Sequence, residues 1–407
     1  MAATNVSTMG TAIRTFWETN LIPKLKSKSL YEKFSSNTAV TKDNATGGIK
    51  INTIRRVAVP SSDLSESSTT GTPKAISSSA IIIEPTIFGD VFQFTDLMSR
   101  ETFVKNSDFM DEIADQIVRT KEQRVAKAIM TRCMRHRVDN DGNYEVSGRV
   151  DSGTTTSFVD DALTQADNYW GTDTNNFGVA AFFAPEGACY DRAVRATDFT
   201  AASHTVTLET LQQAPDTSDK YHLTIPTDIA ATDVMTVTAA IRVAAMHEAL
   251  QTERFNGGML MGFINSMQKA DLYKDTAYLA AMTVYSKPEM IDKYRIIPLL
   301  DMNFIVHNTG TYREDVDGST NLSDGICHVA PIFGKNAWRV TKWGDGADAY
   351  GVKISNFGGP NDPDTGNMWG LQKYTSWHAI AGMITLRATS IIGLMTGATA
   401  LPIDLIG

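Results

Sequence analysis

At 407 residues, with 42% apolar and 20% charged residues, the chain has the composition of an ordinary globular protein and can bury a core large enough for two or three lobes. Its formal net charge of −9 argues against a coherent basic face, and so against sequence-specific recognition of DNA. Residues 379–395, the most apolar window, are interrupted by Arg387 and too short to span a bilayer, and the opening Met1-Ala2-Ala3-Thr4-Asn5 lacks the profile of a secretory signal, so no membrane partner is expected.

The charge is unevenly spread. Residues 1–60 hold nine Lys or Arg against three Asp or Glu, whereas residues 139–235 hold four against sixteen. Cys133, Cys189 and Cys327 lie far apart and form no C-x-x-C pair, the pattern of reduced, mostly buried thiols and not of a disulfide framework.

The first 38 residues read as an arm with a short amphipathic helix: Ile13, Phe16, Trp17 and Leu21, a stop at Pro23, then Leu25, Leu30, Tyr31 and Phe34. So small a stripe cannot make its own core; it must lie on the rest of the subunit or on a neighbour. Residues 48–59 and 80–94 then read as the two strands of a long hairpin, joined by a Ser-, Thr-, Gly- and Pro-rich tip at 61–79. An isolated two-stranded ribbon is marginal in water. It either folds back on its own domain or reaches over an adjacent chain.

From Asp108 the apolar spacing becomes helical, through Phe109, Ile113, Ile117, Val125 and Ile129, with no Gly or Pro before Gly142. About 30 residues, roughly 45 Å at the α-helical rise, are expected. Acidic residues at its start and Arg135 and Arg137 at its end suit the helix dipole, and His136 is expected on the solvated surface there. The acidic segment is expected to be solvent-facing, with a helix at 158–170, a strand at 179–184, a strand-and-helix unit echoed by 258–275, and a hairpin within 196–225. A second long helix is predicted over 230–254, with Val234, Val237, Ile241, Ala244, Ala245 and Leu250 as its stripe. A polar loop is predicted at 309–324 and strands at 327–333, 338–343, 350–357 and 371–392. Helices and strands without a regular βαβ rhythm mark an α+β fold.

No catalytic constellation emerges. His247-Glu248 opens like a zinc-protease motif, but the fifth position is Gln251. In Asp139-x-Asp141-Gly142 the glycine is misplaced for a calcium loop, and the motif reads as a turn, as does Asp362-Pro363-Asp364-Thr365-Gly366. Asp160 and Asp161 are adjacent and would not share a helix face. No catalytic, cofactor-binding or metal-ligating residue is assigned, and no cofactor or enzyme activity is expected.

A hairpin arm, an Ile87-Phe88-Gly89-Asp90-Val91 strand running into Thr95-Asp96, and a long helix resemble the major capsid protein of tailed bacteriophages, with the fold first seen in the Hong Kong phage head and the subfamily typified by the podovirus N-four. The resemblance continues in chain order through 256–264, 270–275, 295–306 and 357–363, then Lys373 and a terminal apolar strand. It implies an amino-terminal arm at 1–46, an extended hairpin at 47–95, and a peripheral domain with the spine helix at 96–138. Residues 139–229 would be an acidic insertion or part of the axial domain, 230–330 the axial domain with a peripheral helix, and 331–407 the peripheral strands. It further implies self-assembly into hexamers and pentamers of an icosahedral head around double-stranded DNA that is not bound sequence-specifically. Portal, scaffolding and decoration proteins would be partners, with assembly in the host bacterial cytoplasm. An encapsulin-like nanocompartment shell is the alternative. Ile113, Ile117 and Ile129 are expected to pack on strands around Ile384, Leu386 and Ile391.

Overall fold

The computed structural model of the protein describes residues 30–35, 38–40, 49–54, 78–83, 86–95, 119–120, 136–167, 180–184, 187–224, 232–255, 257–285, 301–307, 312–315, 326–343, 352–357 and 372–397. In chain order these form α1 (Leu30–Phe34), β1 (Thr38–Val40), β2 (Ile49–Ile54), β3 (Ser78–Ile83), β4 (Thr86–Thr95) and β5 (Arg137–Val138). Short strands follow: β6 (Val146–Arg149), β7 (Ser152–Thr154), β8 (Ser157–Val159), β9 (Ala180–Phe183), β10 (Arg192–Thr200), β11 (Thr205–Leu208) and β12 (Lys220–Thr224). Then come α2 (Val237–Ala249), β13 (Leu260–Ile264), α3 (Ser266–Lys274), α4 (Thr276–Tyr285), β14 (Met302–Val306), β15 (Tyr312–Asp315) and β16 (Ile326–Phe333). The last are β17 (Trp338–Trp343), β18 (Val352–Phe357), β19 (Gln372–Thr385) and β20 (Ile391–Thr396). Helices and strands are mixed without a βαβ rhythm, as the sequence implies.

The chain divides into two compact units, one of residues 1–51, 82–125 and 339–384, the other of 52–81, 126–338 and 385–407. The first carries a five-stranded sheet in the order β1-β17-β19-β18, with β4 also paired to β19. β4 runs antiparallel to β19 over ten residue pairs, from Thr86↔Ala381 to Thr95↔Gln372. Phe88 meets the buried Trp377 edge-on, and a Cβ at Gly89 would run into the Trp377 carbonyl, so the close approach needs glycine. Ile87 and Val91, two residues before and after Gly89 and on the same face of the strand, are 73% and 60% exposed.

This corrects the single strand expected at 80–94. Its first part, β3, pairs with β2 as a ribbon, and its second, β4, joins β19. Pro85, lying between them in sequence, has no N–H to offer a ladder. The hairpin tip lies outside the described residues. So does the long helix, apart from Arg119 and Thr120, which are helical, and with it the proposed packing of Ile113, Ile117 and Ile129. Arg137, drawn into that helix from sequence, belongs instead to β5.

In the second unit, a six-stranded sheet runs β14-β13-β16-β20-β5, with β15 beside β16. β20 is buried along its whole length, antiparallel to β16 and parallel to β5. β15 lies in what reads as a polar loop. Tyr312 to Asp315 pair with Val329 to Ile326, so the needs of the partner strand override weak local propensity. The terminal apolar stretch is broken between β19 and β20 by a 3-10 turn, Ala388–Ser390.

Helix α2 starts at its cap Thr236, whose hydroxyl accepts from the Ala239 amide at 3.2 Å. Val237, Ala239, Ala240, Val243, Ala244 and His247 are buried. This is a face turned from the expected stripe: Ile241 is 43% exposed. Alanine and histidine carry too little apolar weight to reveal such a face from composition. Helix α3 opens with a capping box, Asn265 Oδ1 accepting from the Gln268 amide and Gln268 Oε1 from the Asn265 amide. Val138, Ala239, Ala240, Val243, Leu260, Ala330, Ile332, Ile392 and Leu394 form the common core of sheet and helix. Among the described residues no helix is long and apolar enough to cross a membrane.

Ile332→Ala, in the centre of that core, should cost about 2–5 kcal/mol, read as a large fall in melting temperature. Ile241→Ala should stay within about 0.5 kcal/mol.

Candidate functional site

The acidic segment folds as a lobe with its own core, built from seven short strands in the order β6-β12-β9-β10-β11-β8-β7. The two ends of that order are consecutive in sequence, since only Val150 and Asp151 separate β6 from β7. The Val150 amide donates to the Asp219 carbonyl and the Asp151 amide to the Val159 carbonyl. One bent strand therefore pairs with β12 through its first half and with β8 through its second. β10 bends likewise: Arg192 to Arg195 pair with β9, and residues from Ala196 to Thr200 pair with β11 past a bulge. Two four-stranded antiparallel layers thus share two corners and close as a small barrel, which removes the open edges that would invite stray pairing.

Phe158, Ala181, Phe183, Phe199, Val206, Tyr221 and Leu223 fill it, all at 0% exposure. The Tyr221 hydroxyl donates to Asp160 Oδ2 at 2.5 Å. Gly148 makes room for this pair, because a Cβ there would collide with both groups. Phe158 therefore lies on a strand, and 160–167 form turns and irregular chain, where a helix was expected. The alternation around Phe158 spans three residues, too short for the period to be read. The helix expected to echo 272–275 is absent as well, since Arg192 begins β10.

The entry and exit of the barrel are fastened together: the Thr224 hydroxyl donates to the Arg137 carbonyl at 2.7 Å. Its β9 and β12 face rests on an aromatic seat. His136 stacks on Phe182 with ring centroids 3.8 Å apart, and Tyr144 on His222 at 4.2 Å. His136 Nδ1 lies 3.1 Å from the Ala388 carbonyl and so carries the proton, leaving Nε2 to accept from the Tyr144 hydroxyl at 2.5 Å. The solvated surface expected for His136 is thus overturned. The ring is fully buried, and burial lowers its pKa to about 3. The apolar wall it meets comes from Phe182 and Ala388, remote in sequence.

A second fastening comes from the loop before β10. Asp191, at φ 54°, accepts from the Thr389 amide at 2.7 Å and from the Thr389 hydroxyl at 3.1 Å. Burial raises the pKa of this carboxyl to about 6, against the lowering effects of the two Thr389 bonds, Arg387 and Arg192. The Thr389 carbonyl accepts from the Thr252 hydroxyl at 2.9 Å, and Thr252 Oγ1 also lies 3.0 Å from His247 Nδ1. His247 Nε2 is 3.1 Å from the Ile332 carbonyl. The turn Ala388–Ser390 thus receives His136, Asp191 and Thr252 together.

Among the described residues, none of the motif residues weighed from sequence converges on a reaction centre. His247 is a buried core histidine held near neutral by burial, its pKa lowered to about 4, and Glu248 pairs with Arg254 at 2.7 Å. Asp139 Oδ1 accepts from the Asp141 and Asn143 amides, which makes a turn. Asp160 is buried in the barrel and Asp161 is exposed. Not every carboxylate of the acidic block faces solvent: Asp160, Asp191 and Asp219 are buried, Asp219 accepting from the Cys189 and Asp216 amides. Among the described residues no three His, Cys, Asp or Glu side chains gather as a metal site. Cys189 is buried, its thiol donating to the Gln213 carbonyl at 3.1 Å; Cys327 lies on β16, and Cys133 and residues 362–366 fall outside the described residues. The fastening residues that sequence reasoning missed, Asp191 and Thr389, are 198 positions apart and carry no local signal.

No family model matches the sequence and no curated protein does. Solved structures do. The capsid of cyanophage P-SCSP1u aligns with TM-score 0.50 at 12% identity, over 90% of this chain and 88% of that one. The head of Helicobacter pylori bacteriophage KHP40 aligns with TM-score 0.51 at 8% identity, over 91% and 92%. The capsid of Ralstonia phage GP4 aligns at 13% identity over 93% of both chains, with TM-score 0.48. The chain has the fold of phage capsid proteins.

Asp191→Asn isolates the barrel latch. The folded pKa of about 6 lies above the unfolded value, so the fold favours the protonated form. The contribution of Asp191 is then most favourable below about pH 4 and becomes a cost as pH rises through 6. The uncharged amide avoids that cost. The variant should melt like wild type at pH 4 and higher than wild type at pH 7.5, by an amount worth up to about 3 kcal/mol. The lowered pKa values of His136 and His247 tilt both proteins equally, so the difference between them reports Asp191.

Proposed function

We propose that this chain is the major capsid protein of a tailed bacteriophage, a structural and not a catalytic subunit that assembles with copies of itself into an icosahedral head. The observation that carries the reading is a capsid fold aligned along about nine tenths of both partners, with nothing large left over on either side. The neighbours described above are phage heads, which favours this reading over a nanocompartment shell.

On this reading the subunits form hexamers and pentamers and enclose double-stranded DNA without reading its sequence, inside the host bacterial cytoplasm. Portal and scaffolding proteins would be transient or vertex partners, and a decoration protein an outer one. The Hong Kong phage type of fold and the N-four subfamily belong to the same proposal, on the strength of the strand-and-helix order quoted from the sequence. So do its domains: an amino-terminal arm at 1–46, the hairpin at 47–95, the peripheral domain at 96–138 and 331–407, and the axial domain at 230–330, with 139–229 an acidic insertion or part of the axial domain.

An acidic wall suits a container. Each phosphate neutralised by a basic side chain adds salt-sensitive affinity that would hold the genome against the shell and resist its movement. Shell formation needs many modest contacts instead, each weak, repeated around the particle. The segment between β2 and β3 is too rich in Ser, Thr, Gly and Pro to build a core, and its natural use is to meet another subunit.

Deleting residues 62–78 tests this. Sedimentation velocity of the full chain should show capsomers or closed shells, while the deletion should remain soluble and folded but form no closed shells. Normal heads from the deletion, or a full chain that sediments only as a monomer, would contradict the proposal.

A further inference from the structure

The barrel has two outer faces. That of β9 and β12 is covered by His136 and Tyr144. The other is formed by β7, β8, β11 and the second half of β10, and its outward residues are exposed or half-buried. Its outward side chains form two cross-strand rows, Ser152–Val159–Thr205–Thr200 and Thr154–Ser157–Thr207–Asp198. Between them the row Gly153–Phe158–Val206–Phe199 points inward to the core. Six of the eight outward residues are Ser or Thr, and Asp198 is the one charged group. Its Oδ1 is buried without a hydrogen-bond partner. The exposed carboxylates Asp151, Asp161, Asp167, Glu209 and Asp216 sit in the turns, not on the rows.

We propose that this hydroxyl face is a self-complementary contact between the barrels of two copies of the chain. The inference rests on the shell reading and specifies one of its contacts. Two copies of an acidic lobe repel least where they meet with few charges, and this face, with Asp198 as its one charged group, is such a place. Carboxylates accept hydrogen bonds but cannot donate them, so an acidic face cannot pair with its own copy. Hydroxyls do both, as Thr154 and Ser157 already do with each other at 2.8 Å. A two-fold axis brings the same rows together from both sides. Neighbouring strands lie about 4.8 Å apart and outward residues about 6.8 Å apart along a strand, a lattice into which a second set of hydroxyls fits. A basic partner would require carboxylates across the face, and the rows offer one. Eight side chains are few beside the roughly 20–30 residues a side of a stable free pair, so the contact works as one of many repeated in a shell.

The test uses the full-length chain carrying Thr205→Glu with Thr207→Glu, and separately Thr205→Lys with Thr207→Lys. Each variant alone sets like charges against its own copy. Assembled particles, counted by sedimentation, should fall about tenfold, the effect of roughly 1.4 kcal/mol per contact. An equal mixture of the two should recover assembly to near the wild-type level. Melting curves establish that the variants are folded; if either melts early, Ser152 and Thr154 on β7 take the same substitutions. Wild-type shells together with unaffected variants, or a mixture no better than the Glu form alone, overturn this contact and leave the shell reading standing. A wild-type chain that stays monomeric overturns the shell reading itself, and this contact with it.

Discussion

The pairing of β20 with β16 on one side and β5 on the other is the constraint on which the second unit depends. It joins residues 137–138, 326–333 and 391–396 in one ladder, and every residue of β20 is buried. β5 is the doorway to the barrel, and its Arg137 carbonyl also holds the barrel's exit through Thr224. The turn that leads into β20 carries both fastenings of the seat, Ala388 to His136 and Thr389 to Asp191. The same strand packs Ile392 and Leu394 against α2 and the neighbouring strands. A loss of this ladder would unseat sheet, helix and barrel together.

The barrel solves a different physical problem. An inserted stretch this rich in carboxylates cannot share a core with the sheet lobe without stranding charge. It closes upon itself instead, with aromatic and aliphatic side chains inside and most carboxylates in the turns. The carboxylates that are buried, Asp160, Asp191 and Asp219, each accept at least one hydrogen bond, which offsets much of the desolvation cost. Closure also removes the sheet edges through which the lobe could pair with strands of another copy.

Legibility in the sequence follows local signal. β16 and β17 are strong apolar or aromatic runs, and the boundaries expected for them fall within a residue of those found. β13 and α3 fall within the strand-and-helix unit expected over 258–275. The barrel was not legible. Its strands are three to nine residues long, rich in Ser, Thr and Ala, and stabilised by cross-strand partners far along the chain. Phe158 read as helical because its neighbours within a single turn were apolar. His136 read as surface because a run of arginines precedes it, while the partners that bury it are Phe182 and Ala388. β15 was hidden for the same reason: Tyr312-Arg313-Glu314-Asp315 has no strand signature apart from its pairing with β16.

On the reading proposed above, the capsid fold, the closed acidic barrel and its hydroxyl face belong to a subunit that assembles with its own copies. Electron cryomicroscopy of the purified full-length protein tests this most directly. The account predicts closed icosahedral particles in which the subunit is arranged in hexamers and pentamers, with the barrel a distinct density on each subunit. Isolated subunits that bury no common surface at any concentration would contradict it.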